Sequence, residues 1–153
     1  MPIRIGVISD THDLLRPGAV EFLRGSDLII HAGDICKPGV LQELETIAPV
    51  TAVRGNNDKG DWARNLQESE IIQVGEVFIY VIHDLGAIDI DPVGAGIRVV
   101  VSGHSHQPKV EERGGVLFVN PGSAGPRRFK LPISAAEIQV DGAIVSVMLV
   151  ELT

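Results

Sequence analysis

Two histidines separated by one residue, in Gly103-His104-Ser105-His106, directly follow the apolar run Ile97-Arg98-Val99-Val100-Val101-Ser102. Imidazoles at that spacing, where a strand opens into a loop, are placed to ligate metal ions. Earlier apolar runs end in residues of the same kind: Asp10-Thr11-His12, Gly33-Asp34, Gly55-Asn56-Asn57-Asp58 and His83-Asp84. Together they offer seven nitrogen and oxygen donors: Asp10, His12, Asp34, Asn56, His83, His104 and His106. That number exceeds what one ion takes and suits two. A carboxylate such as Asp34 can bridge them, one oxygen facing each metal, at the about 3.5–4 Å spacing of two-metal hydrolytic sites. No thiolate joins the set unless Cys36 turns inward, so manganese, iron, zinc, nickel or cobalt fits better than a structural zinc of the cysteine type.

The elements that must position these donors read in order. Ile3 to Ser9 is a strand and Arg16 to Gly25 a short helix, with Pro17 tolerated in its first turn. Leu28 to His31 is a second strand, Pro38 to Ile47 a second helix stopping before Pro49, and Thr51 to Arg54 a third strand. This β-α-β-α-β order predicts a parallel sheet with the site at the carboxyl ends of its strands. Beyond Ser69 the pattern changes to strands with short turns: Glu70 to Val74, Val77 to Ile82, Ile97 to Ser102, Lys109 to Arg113, Val116 to Val119, Ile133 to Val140 and Ala143 to Glu151. Gly75-Glu76 and Asp141-Gly142 are hairpin turns, and Leu85 to Gly96 is a loop with at most one helical turn. Two sheets packed face to face with helices outside bury all of these apolar runs.

A chain of 153 residues is expected to form one domain, 1–153. The formal net charge of −7 argues against binding long nucleic acids or anionic membranes, and no apolar run approaches the roughly 18 residues of a membrane span. The opening Met1-Pro2-Ile3-Arg4 lacks a secretory pattern and Cys36 is the only cysteine, so a cytoplasmic protein without an internal disulfide is expected. The strand-rich C-terminal half offers an edge for a homodimer or higher homo-oligomer.

The five motifs, in this order, resemble the signature of the calcineurin-like metallophosphoesterases: D-x-H, G-D, G-N-x-D or G-N-H-E, a histidine, then G-H-x-H. The likeness runs from about Ile3 to Ser123. The short length and Asn120-Pro121-Gly122-Ser123 resemble the small phosphodiesterase branch, related in fold to the phosphoesterase-like scaffold subunit of retromer. The resemblance implies an α/β (α+β) fold, a four-layer α-β-β-α sandwich of two mixed sheets flanked by helices. It implies one metal held by Asp10, His12, Asp34 and His106 and another by Asp34, Asn56, His83 and His104. Manganese is the expected ion, with nickel, iron, zinc, cobalt and magnesium as alternatives. A metal-bridging hydroxide would attack the phosphorus of a small phosphodiester in line, with Asp34, Asn56, Asn57 and His104 as the catalytic residues. A phosphomonoesterase or nucleotide hydrolase, and a non-catalytic interaction scaffold on the same fold, are the rival readings.

Two residues depart from that pattern. Asn57 stands where many relatives carry a histidine that donates to the leaving oxygen; an amide cannot deliver a proton near neutral pH, which predicts a preference for diesters with good leaving groups. Asp84 replaces the usual glycine after His83, where it could orient His83, act as a further ligand, or face solvent. Asn57, Arg127 and Arg128 are candidate phosphate contacts. His31 is expected to support the site or pack at its strand end, Asp58 to shape its loop, Cys36 to be a buried cysteine, and Trp62 and Phe129 to pack.

Overall fold

In the computed structural model, which describes residues 2–127 and 130–152, the apolar runs form two five-stranded sheets. The first contains β1 (Ile3–Ile8), β2 (Leu28–His31), β3 (Val50–Ala52), β9 (Ser134–Asp141) and β10 (Ile144–Glu151), in the order β10-β9-β1-β2-β3. Its β1, β2 and β3 are parallel, β9 runs antiparallel to β1, and β10 antiparallel to β9. The second contains β4 (Ser69–Val74), β5 (Val77–Ile82), β6 (Val99–Val101), β7 (Lys109–Arg113) and β8 (Val116–Asn120), in the order β4-β5-β6-β8-β7. Here β5, β6 and β8 are parallel and the two edge strands antiparallel.

Alternation along each strand decides which layer a side chain enters. Ile5 and Val7, Ile30, Ile79 and Val81, and Val99 and Val101 meet between the sheets in one buried core. Each such side chain contributes about 1.5–3 kcal/mol by leaving water. Their neighbours Ile8 and Ile29 point outward beneath α1 (Pro17–Leu23) and α2 (Pro38–Glu45), which bury Ala19, Leu23, Val40 and Leu44 against them. Both helices begin at proline, where a missing N–H costs nothing.

The second sheet turns Tyr80, Ile82, Val100 and Val116 outward beneath Leu85, Ile88 and Ile90. Its outer cover is thus a loop with one 3₁₀ turn, Leu85–Ala87, a thinner fourth layer than the resemblance implies. A 3₁₀ helix at Asp61–Asn65, which no sequence signal announced, buries Ala63 and packs Trp62 against the helical layer. The third strand starts at Val50 rather than Thr51 and is over by Val53, because Arg54 turns its N–H to Gln67 O at 2.8 Å. Among the described residues, no helix is long and apolar enough to cross a membrane.

Candidate metal centre

The parallel strands of both sheets end on one rim, and the chain leaves them in an unusual conformation. Asp10, His12, Asp34, His104 and His106 all have left-handed backbone, with φ of 56°, 46°, 58°, 72° and 62°. That region costs an L-residue about 1–2 kcal/mol, and such residues persist where the surroundings over-determine them, commonly at functional sites. The motif glycines have a steric reason. A Cβ on Gly55 would overlap the backbone N and Oδ1 of Asp34, and one on Gly103 would overlap Ser9 Oγ and lie 2.8 Å from Asp10 Oδ2.

The donors gather into two groups, Asp10 with His12 and His106, and Asp34 with His83 and His104. The rings pair accordingly, His12 with His106 at 5.4 Å and His83 with His104 at 5.1 Å between centroids. Asp10 Oδ1 lies 3.5 Å from His106 Nε2 and 3.8 Å from His12 Nε2. Asn56 Oδ1 completes the second group, 3.1 Å from His83 Nε2 and 3.2 Å from His104 Nδ1. Asp34 joins the groups through a single oxygen: Oδ2 is 3.6 Å from His12 Nε2 and 3.3 Å from His83 Nε2. The other oxygen, Oδ1, accepts the Asn57 backbone N–H at 2.8 Å.

Residues behind the rim fix these positions. Asp58, buried, accepts four backbone N–H groups: those of Asp34 and Gly55 at Oδ2 (3.0 and 2.8 Å) and of Ile35 and Cys36 at Oδ1 (2.7 Å each). His83 Nδ1 donates to Ala32 O at 2.7 Å, which turns Nε2 to the site. Asp10 Oδ2 accepts from Ser9 Oγ (2.7 Å) and the His104 N–H (3.1 Å). Asn120 Nδ2 donates to Gly103 O and Ser105 Oγ, steadying the two-histidine loop.

The donor set fits divalent ions. Asp10 Oδ1 and His12 Nε2 are buried without a hydrogen-bond partner among the described residues, an expensive state for polar atoms that a cation relieves. Burial pushes the Asp10 carboxyl up, even though Ser9, His83 and His106 favour its charged form. Asp34 is held well below the usual carboxylate range: burial opposes ionisation, but hydrogen bonds from His83 and Asn57 prevail. For His83 burial opposes protonation, and the contact with Asp34 outweighs it and raises the pKa.

His31 lies behind this centre, as expected. Its Nδ1 accepts the Gly33 N–H at 3.1 Å, so the proton sits on Nε2, which donates to Thr11 Oγ1 at 3.0 Å. Burial pushes its pKa down from 6.5 to about 3. Between those values the unfolded chain binds a proton that the native state lacks, so stability falls as pH drops, by about tenfold in the folding constant per pH unit. Denaturant titrations of metal-free protein from about pH 6 to pH 4.5 are expected to show this one-proton slope relative to a His31→Gln variant. Raised Asp10 and raised His83 both act in the opposite sense, and do so in both proteins, so the difference in slope is the readout. Equal slopes would refute the assignment.

The remaining sequence candidates fall as follows. Asn57 is at the rim, its side-chain amide donating to Asp34 Oδ2 at 3.0 Å. Asp84 is exposed and accepts the Gly86 N–H at 2.9 Å, capping the 3₁₀ turn, while Ala32 O does the orienting of His83. Arg127 is exposed and bonds none of the described residues; Arg128 and Phe129 lie outside them. Cys36 is corrected from a buried cysteine: it is half-buried, with Sγ 3.6 Å from His12 Nδ1, and burial and surrounding carboxylates hold its thiol at about 11.

Residues 3–143 match the family model of the calcineurin-like phosphoesterase superfamily domain. The chain is 36% identical over 150 residues to a probable metallophosphoesterase of Methanothermobacter thermautotrophicus, covering 90% of this chain and 86% of that protein. It is 30% identical over 139 residues to a phosphodiesterase of Methanocaldococcus jannaschii, covering 78% of this chain and 83% of the relative. Among solved structures, vacuolar protein sorting 29 of Cryptosporidium parvum superposes with a TM-score of 0.81 over 98% of this chain and 97% of that one. At 20% identity this is a likeness of fold alone.

Proposed function

The chain belongs to the calcineurin-like phosphoesterase superfamily, and from that membership and the geometry of its rim we propose that it is a two-metal phosphodiesterase acting on small phosphodiesters. The observation that carries this reading is the position of Asp34 Oδ2, within 3.6 Å of a ligand nitrogen from each donor group. In this reading Asp10, His12, Asp34 and His106 hold one ion, and Asp34, Asn56, His83 and His104 the other. Bound there, divalent ions polarise phosphoryl oxygens and acidify a water for attack on phosphorus.

The chain's own residues prepare and bias that chemistry. Depressed Asp34 stays a carboxylate throughout the neutral range, and the Ala32 carbonyl keeps the His83 proton on Nδ1, away from the site. Asn57 presents an amide that can donate to a phosphoryl oxygen but has no proton to give a departing alkoxide. Diesters with good leaving groups are therefore the favoured substrates. Supplying the missing acid in an Asn57→His variant is expected to raise monoester turnover, within the about 10²–10⁴-fold range of general-acid help, in a direct comparison of 4-nitrophenyl phosphate rates. An unchanged monoester rate would count against this account of selectivity.

The reading is tested with metal-stripped protein, bis(4-nitrophenyl) phosphate and a titration of manganese, with the corresponding monoester in parallel. Turnover that rises with metal and favours the diester is expected. Folded protein that turns over neither ester with manganese, nickel, cobalt or zinc would overturn it in favour of a non-catalytic scaffold.

A further inference from the structure

We propose that a trough on the outer face of the second sheet, opening at His104, is a subsite for a planar heteroaromatic ring carried by one ester arm of the substrate. The identity of the ligand rests on the phosphodiesterase reading. Register and alternation build the trough. Lys109 pairs with Asn120, Glu111 with Phe118 and Arg113 with Val116, so these side chains share the face that Val100 and Val116 show to the outside. The cover segment packs Leu85, Ile88 and Ile90 on this face, and a cavity of about 290 Å³ remains between Leu85, Phe118 and the β7 side chains. That volume is room for one ring system, at the small end of ligand pockets.

The lining has the chemistry such a ring needs. Phe118 is half-buried and carries the Arg113 guanidinium 4.4 Å from its ring centroid, a stacking platform at the floor. Gln107 is exposed and its side-chain amide bonds none of the described residues, which leaves one donor and one acceptor group for a ring edge. Lys109 and Arg113 flank Glu111 at 3.1 and 3.6 Å and offset its charge. A second cleft of about 250 Å³ also adjoins His104, and Asp84 lines both cavities; in the trough Lys109 and Arg113 balance Asp84 and Glu111, whereas in the second cleft Glu68, Asp84 and Asp89 face Arg54, which is tied to Glu68 at 3.2 Å. The surplus negative charge disfavours that cleft for a group with electron-rich edges attached to an anionic phosphate. Of the two cavities beside His104, the trough is the one matched to a base-like ring.

The test compares thymidine 5′-(methyl phosphate), which has the ring, with dimethyl phosphate, which lacks it. Each is titrated into wild-type protein while amide chemical shifts are followed, and each competes against manganese-dependent hydrolysis of methyl 4-nitrophenyl phosphate. Shifts at Gln107, Arg113 and Phe118 are expected with the thymidine ester alone, together with an inhibition constant about tenfold lower than that of dimethyl phosphate, the effect of one stacked base. Phe118→Leu, which keeps an apolar side chain, and Gln107→Ala, at an exposed position, should each shrink that difference by raising the thymidine ester's constant. Equal constants, or shifts confined to the rim near Asn57, overturn the subsite and leave the phosphodiesterase reading standing. Trough shifts in a protein that hydrolyses no diester overturn the phosphodiesterase reading and retain the trough as a ring-binding site.

Discussion

The Asp34→Asn variant is expected to lose metal-dependent diester hydrolysis by at least about 10³-fold, the scale of losing several kcal/mol of transition-state stabilisation, while remaining folded. Asp34 Oδ1 accepts the Asn57 N–H at 2.8 Å, so a substituted amide must keep its oxygen there. Its NH₂ then replaces Oδ2, facing His12 Nε2, His83 Nε2 and the amide of Asn57. In the proposed two-metal site both ions would lose their common ligand, with a donor pointing where a cation should bind. The fold should survive, because the Asp34 N–H keeps its bond to Asp58. Elemental analysis after dialysis against manganese should find two ions per wild-type chain and fewer in the variant, alongside the loss of turnover. Two retained ions with near wild-type turnover would refute the bridging role.

How much of this was legible beforehand depended on whether a feature is local in the chain. The seven donors could be read because each closes an apolar run, and parallel strands of two sheets bring run ends to one rim whatever the loops do. The helix start at Pro38 was legible for the same local reason, and the first helix starts at Pro17, one residue after the expected Arg16. Contacts between distant segments were not. The hold of the Asn57 N–H on Asp34 Oδ1 spans 23 residues, and the contact of Cys36 with His12 goes with left-handed backbone at both residues. The thin outer layer was foreshadowed by the Gly-, Asp- and Pro-rich composition of 85–96, but the trough beside it needed the register of β7 on β8. The 3₁₀ helix at Asp61–Asn65 is held by burial of Ala63 and contacts of Trp62, too short a segment to show a period.

Asp58 shows what such distance conceals, and the Asp58→Ala variant is expected to have the second-largest effect. In the sequence it is one more acid in a turn; in the fold its two oxygens gather N–H groups from 34–36 and from Gly55. Removing them leaves four backbone donors without their acceptor, at a cost of roughly 3–5 kcal/mol by analogy with breaking other buried charged contacts. For a chain of this size that corresponds to a fall of roughly 10 °C in the melting temperature of metal-free protein. Manganese affinity should fall as well, by about 10–100-fold, because Asp34 and Asn56 are the donors whose loops come apart. Asp58→Asn keeps one acceptor oxygen and should lie between. A role for Asp58 as a direct metal ligand predicts a different pattern, in which metal binding is lost while metal-free stability is unchanged. Measuring both quantities on both variants separates the two: with both oxygens engaged by four backbone N–H groups, stability and affinity should decline together.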